Sequence, residues 1–135
     1  MIDDLNPHHP DIKKAWRDRN FSALKIYIAG PMTGLPEFNY PAFRRASLRL
    51  RELGFQVLDP SELFPENPGS HPWQYYMRGS LRGLLQCDAI LLLNGWDHSR
   101  GARLEHSVAQ TLEMPIFYED IFLTYLHSQD HTTNV

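Results

Sequence analysis

The stretch Ala89-Ile90-Leu91-Leu92-Leu93 contains no polar residue and no alternation. A strand with one face in water reads apolar, polar, apolar; a strand that is apolar throughout needs cover on both faces. Such a run suits the central strand of a parallel sheet with helices packed above and below it. It is far too short to cross a bilayer.

Around this strand the hydrophobic period switches repeatedly between two and 3.6. Lys25 to Gly30 reads as a strand that stops at Gly30-Pro31, and Met32 to Phe38, with Gly34 and Pro36, as a loop. Asn39 is a candidate N-cap with Pro41 in the first turn. Phe43, Ala46, Leu50 and Leu53 then recur at helical spacing, Arg44, Arg45, Arg49 and Arg51 mostly face water, and Gly54 closes the helix. Phe55 to Leu58 is a second strand, ended by Asp59-Pro60. The connection over 60–72 holds Pro60, Pro65, Pro68 and Pro72 and is irregular, of a length that often carries function. Trp73 to Gln86 reads as a helix with an apolar stripe at Tyr76, Met77, Leu81, Leu84 and Leu85; Gly79 and Gly83 weaken it by about 1 kcal/mol each relative to Ala. After the central strand, Ser99 caps a helix running to about Leu112, Met114 to Tyr118 forms a fourth strand, and 119–127 a last short helix.

The resulting order is β-α-β-α-β-α-β-α without internal repeat. It predicts a three-layer α/β/α sandwich on a parallel sheet of four to five strands, flavodoxin/Rossmann-like, in one domain over 24–127. Residues 1–23, polar and broken by Pro7 and Pro10, read as an extension with a short helix near 11–18, and 128–135 as a polar tail.

Composition narrows the function classes. The 135 residues are 42% hydrophobic and 21% charged, as expected of a globular domain. With 13 basic and 16 acidic residues the formal charge is −3, so no large basic excess is present to neutralise a nucleic-acid backbone. Cys87 is the single cysteine, which excludes an intrachain disulfide, fits a reducing compartment and suits a small core residue. The opening MIDDLNPHHP is acidic and lacks the apolar centre of a secretory signal. The expectation is a cytoplasmic protein with neither membrane nor nucleic acid as partner. The seven histidines lack ligand-type spacing with cysteines or carboxylates, so no metal site is expected.

In an open parallel sheet, ligands collect at the carboxyl ends of the strands, near a switch in strand order. Three landmarks fall there: Gly30-Pro31-Met32-Thr33-Gly34, Asp59-Pro60, and Asn94 to Gly101. The first is neither a P-loop nor a dinucleotide fingerprint. It reads either as a plain β–α loop or as a glycine-rich turn that brings backbone amides close to a ligand. The last places Ser99 and Gly101 at a helix N-terminus, where free amides and the helix dipole favour an anion, with Arg100 adding charge. Glu105 lies in the second turn of that helix. Its neighbours at helical spacing are Gly101, Ala102, Val108 and Ala109, all small or apolar. Either it is a surface carboxylate paired with Arg100 or Arg103, or it has a chemical task. Phe38, Tyr40, Trp73 and Trp96 lie in or beside these loops and together suit the walls of a pocket for a planar ring.

Ile26-Tyr27-Ile28-Ala29-Gly30-Pro31-Met32-Thr33-Gly34, Leu84 to Asp88, and Trp96 to Glu105 together resemble the nucleoside 2-deoxyribosyltransferase-like superfamily over about residues 24–118. The nearest likeness is to its small bacterial and phage branch and to the deoxynucleoside 5′-monophosphate N-glycosidases. The resemblance implies that Glu105 attacks C1′ of a deoxyribosyl group, that Tyr27 lies close to it, and that Gly30 to Gly34 help enclose the sugar or its phosphate. It implies a 5′-phosphate at Ser99, where true nucleoside transferases carry an aspartate for the sugar hydroxyl. A carboxylate there would repel a phosphate, whereas a hydroxyl at a helix start can donate to one.

One position departs from the pattern. Ser80 stands where the superfamily usually has an aspartate that positions or protonates the base, so another acid such as Asp59 or Asp97 substitutes or leaving-group help is weak. The expectation is cleavage of a deoxynucleotide N-glycosidic bond, by hydrolysis or base exchange, through a covalent ester on Glu105 and without metal or organic cofactor. The substrate is a small nucleotide or nucleoside, and the superfamily implies a homodimer or larger homo-oligomer. The alternatives are a non-catalytic binder of a nucleotide or nucleotide signal, favoured by Ser80, and a protein-interaction module with a vestigial pocket.

Overall fold

Four parallel strands carry the computed structural model, which describes residues 14–15, 17–63 and 69–121. They are β1 (Lys25–Ala29), β2 (Gln56–Leu58), β3 (Ala89–Leu92) and β4 (Ile116–Tyr118), in the order β2-β1-β3-β4. Tyr27 pairs with Leu58 on one side and Ile90 on the other, and Leu91 pairs with Phe117. β3 is interior on both faces along its whole length, as its unbroken apolar run requires.

Three helices cover the sheet: α1 (Tyr40–Glu52), α2 (Trp73–Leu84) and α3 (Arg100–Thr111). Ile26, Ile28, Leu91 and Leu93 pack with Phe43, Ala46 and Leu50 of α1. Tyr27, Ala29, Ile90 and Leu92 face the other way, against Leu84 of α2 and Ala102 and Ala109 of α3. This split follows from topology. The chain steps one way from β1 to β2 and the other way from β2 to β3 and β4. Crossovers of one hand must then lie on opposite faces, and the crevice opens where the direction reverses, between β1 and β3.

Local details refine the sequence expectations. Asn39 occupies the N-cap position of α1 but makes no capping bond; it adopts a left-handed φ of 60°, and its Nδ2 donates to the Pro31 carbonyl at 2.9 Å. Glu37 and Phe38 before it are also left-handed, at φ 52° and 53°. Gly54 ends the segment after α1 at φ +103°. α2 stops at Leu84, so Leu85, expected in its apolar stripe, falls past the last turn and is 59% exposed. Gly83 has a packing reason: a Cβ there would lie 3.0 Å from Leu58 Cδ2. Ser99 does cap α3, its Oγ accepting from Ala102 N at 3.2 Å.

Ala15 and Phe21, inside the stretch read as an extension, join the core, Phe21 stacking on Phe55 at 4.3 Å between ring centroids. Residues 14, 15 and 17 are helical, within the helix expected near 11–18, and so are 119–121; the rest of the helix expected over 119–127 and the polar tail lie outside the described residues. Among the described residues no helix is long and apolar enough to cross a membrane.

Gly30 sits where β1 meets β3 at the crevice, and a Cβ there would lie 2.8 Å from Leu93 Cβ. Neither atom is the end of a flexible side chain, so the strands themselves must move apart. Gly30→Ala is expected to lower stability by about 1–3 kcal/mol, read from urea denaturation; an unchanged midpoint would show that the contact is not tight.

Candidate active site

A cavity of about 300 Å³ opens at the crevice. Its floor is the carboxyl end of β1 from Tyr27 to Gly30. One wall is the start of α3, with Ser99, Gly101, Ala102 and Glu105, and beside it stands α2 with Trp73, Tyr76, Met77 and Ser80. Met32, Thr33, Phe38, Tyr40 and Phe43 close it from the α1 side.

Glu105 reaches this cavity because a helical side chain leans toward its own N-terminus, here toward Gly101 and Ala102. Small residues at those positions leave room for it. A Cβ at Gly101 would meet Met77 Sδ at 3.1 Å, so the Met77 side chain would have to give way by a few tenths of an ångström. Glu105 is 5% exposed, which removes the reading of a surface carboxylate paired with Arg100 or Arg103. Its one side-chain hydrogen bond among the described residues comes from Tyr27, whose hydroxyl donates to Oε2.

Burial dominates the electrostatics. It pushes the Glu105 carboxyl from 4.5 up to about 8, against the hydrogen bond from Tyr27, which favours the ionised form. Burial and then the Glu105 charge hold the Tyr27 phenol well above its usual value, while a hydrogen bond from Ser80 works the other way. Tyr27 therefore stays a donor to Glu105, with Ser80 close enough to favour its ionised form. A carboxyl with its affinity near neutrality, held by a buried phenol at the wall of a cavity, suits a nucleophile or a general acid–base group.

Of the residues singled out from sequence, Tyr27, Gly30, Met32, Thr33, Ser80, Ser99, Gly101 and Glu105 line this one cavity. Arg100 does not line it, but its guanidinium lies 3.7 Å over the ring of Trp73, which does. Pro31 serves as the acceptor for Asn39, and Gly34 provides the turn at φ +82°. Trp96 is turned away from the cavity, its ring 4.5 Å from His106 and 6.1 Å from Tyr118. Asp97 is exposed, 3.9 Å from His98, and does not replace the acid missing at Ser80. Asp59 is buried, next to Pro60 in the chain, and does not itself line the cavity. No group of three or more potential metal ligands occurs among the described residues.

Sequence reading missed His71, Tyr76 and Met77 as lining residues. Trp73, Tyr76, Met77 and Ser80 share a helix face by spacing, but that spacing reads equally well as a core stripe. His71 lies in an irregular segment, stacked on Tyr75 at 4.0 Å, where periodicity carries no signal.

Comparison with known proteins identifies the family and the fold. A family model described as a domain of unknown function, DUF4406, matches residues 24–118. No curated protein matches the chain. Among solved structures, a 2-deoxyribosyltransferase from the psychrotolerant bacterium Bacillus psychrosaccharolyticus is similar, with a TM-score of 0.56 and 26% identity over 70% of each chain. The chain belongs to the DUF4406 family and is a member of the nucleoside 2-deoxyribosyltransferase-like superfamily.

Proposed function

We propose that the protein cleaves the N-glycosidic bond of a deoxynucleoside 5′-monophosphate. The observation that carries this reading is Glu105: a buried carboxyl on the cavity wall, bonded to Tyr27, in a chain similar to a 2-deoxyribosyltransferase. In the first step a Glu105 carboxylate oxygen bonds to C1′ as the C1′–N bond breaks through an oxocarbenium-like transition state. The base leaves with the electron pair and takes a proton from solvent. In the second step water, or a second base, attacks C1′ and releases the carboxylate. Tyr27 holds Glu105 in line and, by donating to it, favours its ionised form. The start of α3, with Ser99 and the nearby Arg100, binds the phosphate.

A binding-only reading has one observation in its favour. Among the described residues Glu105 is the only carboxylate lining the cavity, so no second acid is at hand to protonate the base. Incubation with a panel of deoxynucleosides and their 5′-monophosphates, followed by chromatography for free base, separates the two. Release of base supports the enzyme; binding without release supports the alternative.

Three variants test this reading. Glu105→Gln is expected to lower base release by about 10³-fold or more. The same variant checks the burial argument. The folded pKa of Glu105 is raised, to about 8 from 4.5, so its stabilising contribution is whole below pH 4.5 and is lost as pH climbs through about 8. Each pH unit in that window costs the wild type up to about 1.4 kcal/mol. Glu105→Gln escapes this loss, so its melting temperature should gain on the wild type from pH 5 to 9. A constant difference across that range would contradict the burial of the charge.

Tyr27→Phe removes the donor that favours ionised Glu105, so the acidic limb of the kcat/KM profile should move to higher pH. Ser99→Asp should weaken monophosphate binding about tenfold or more while sparing the nucleoside, measured by calorimetry on both ligands. Equal losses for the two ligands would remove the phosphate from this site.

A further inference from the structure

Asp59 has no part in that mechanism, yet its surroundings are unusual. It follows β2 and is only 2% exposed. Its Oδ1 is engaged twice, accepting from Ser61 N at 2.9 Å and Ser61 Oγ at 2.7 Å. Its Oδ2 is buried and has no hydrogen-bond partner among the described residues. The nearby Arg51 is committed to Glu62 at 2.8 Å. A buried acceptor left unmade costs stability, so native folds keep few of them, and those call for an explanation.

The position of Asp59 supplies one. Its chain neighbour Pro60 lines the cavity, and so does Tyr40, which the Asp59 charge reaches. This is the α1 side of the cavity, across from Glu105. Phe38 and Tyr40 stand on this side, His71 and Tyr76 line the same cavity, and all four are rings that suit a flat, unsaturated ligand. Tyr40 is the first residue of α1 and follows the left-handed residues 37–39, so it stands where a turn enters the helix.

We propose that Asp59 is a specificity-determining residue whose Oδ2 accepts a hydrogen bond from the exocyclic amino group of a planar base stacked in the aromatic end of the cavity. This deepens the function proposed above and rests on it for the nature of the substrate. An ionised carboxylate only accepts. An amino group meets it with a donor, whereas a keto oxygen in the same place sets acceptor against acceptor. Ser61 fixes the carboxylate beforehand, and entry of the base requires the side chains between Oδ2 and the cavity to move aside. Cytosine and adenine are thereby preferred over uracil and hypoxanthine.

Calorimetry with these four free bases tests the inference. The wild type is expected to bind cytosine over uracil, and adenine over hypoxanthine, at least tenfold more tightly, because a site built around one hydrogen bond rejects the ligand that cannot make it. Asp59→Asn, whose amide also donates, should bring each ratio close to one or invert it. Ser61→Ala keeps the carboxylate and should keep the preference. The wild-type ratios need no variant, so a misfolded Asp59→Asn leaves the test intact. Equal affinities within each pair, or no measurable binding of any base, would overturn the inference. A protein that discriminates between the bases yet releases none from any deoxynucleotide keeps this site and loses the cleavage reaction. A protein that cleaves amino and keto deoxynucleotides alike does the reverse.

Discussion

The hydrogen bond between Tyr27 and Glu105 joins two groups that the fold could not otherwise afford to bury. A carboxyl in an apolar setting resists ionisation, and a phenol without an acceptor forfeits its bond to water. Placed together, each satisfies the other, and the carboxyl acquires an affinity near neutral pH. The partners are 78 positions apart in the chain. Bringing them together requires β1 to lie beside β3 and α3 to cover the face of β1 that carries Tyr27. Small residues at 101 and 102 then let the Glu105 side chain reach across.

The reversal in strand order does the rest. Because α1 lies on one face and α2 and α3 on the other, the ends of β1 and β3 are not roofed by a single helix. The cavity draws side chains from both layers. Tyr27, Ser80, Ala102 and Glu105 belong to the α2–α3 side, and Phe38, Tyr40 and Phe43 to the α1 side. The start of α3 adds the positive end of a helix at the boundary between them.

Much of this was legible in the residues, for reasons that also explain the remainder. The apolar run 89–93 dictated a two-sided sheet, and the spacing of Phe43, Ala46 and Leu50 dictated a helix packed on it. Glu105 among small residues was conspicuous because a charge on such a face conflicts with packing. Asn39 and Trp96 were misplaced for a common reason. A cap and an aromatic wall are identified from neighbours in the sequence, but Asn39 bonds back to Pro31 and Trp96 packs on His106. Tyr76 and Met77 gave a helical stripe that periodicity assigns to a core, and only the tertiary arrangement turns it toward a cavity. Asp59 reads as a turn residue before proline, and nothing local reveals that one of its oxygens is left over.

The two sides of the cavity differ in how they are built, and that difference sets how freely each can change over time. Tyr27, Ser80 and Glu105 stand on β1, α2 and α3, and Tyr27 and Glu105 are buried, so substitutions there strike the fold as well as the chemistry. Phe38 and His71 stand on turns outside the regular strands and long helices, and both are exposed. Changes at those places cost little stability. A lineage can therefore alter what the aromatic end accepts while the reacting end stays constant. Relatives of this chain would then be expected to diverge in ligand first and in bond-breaking machinery last.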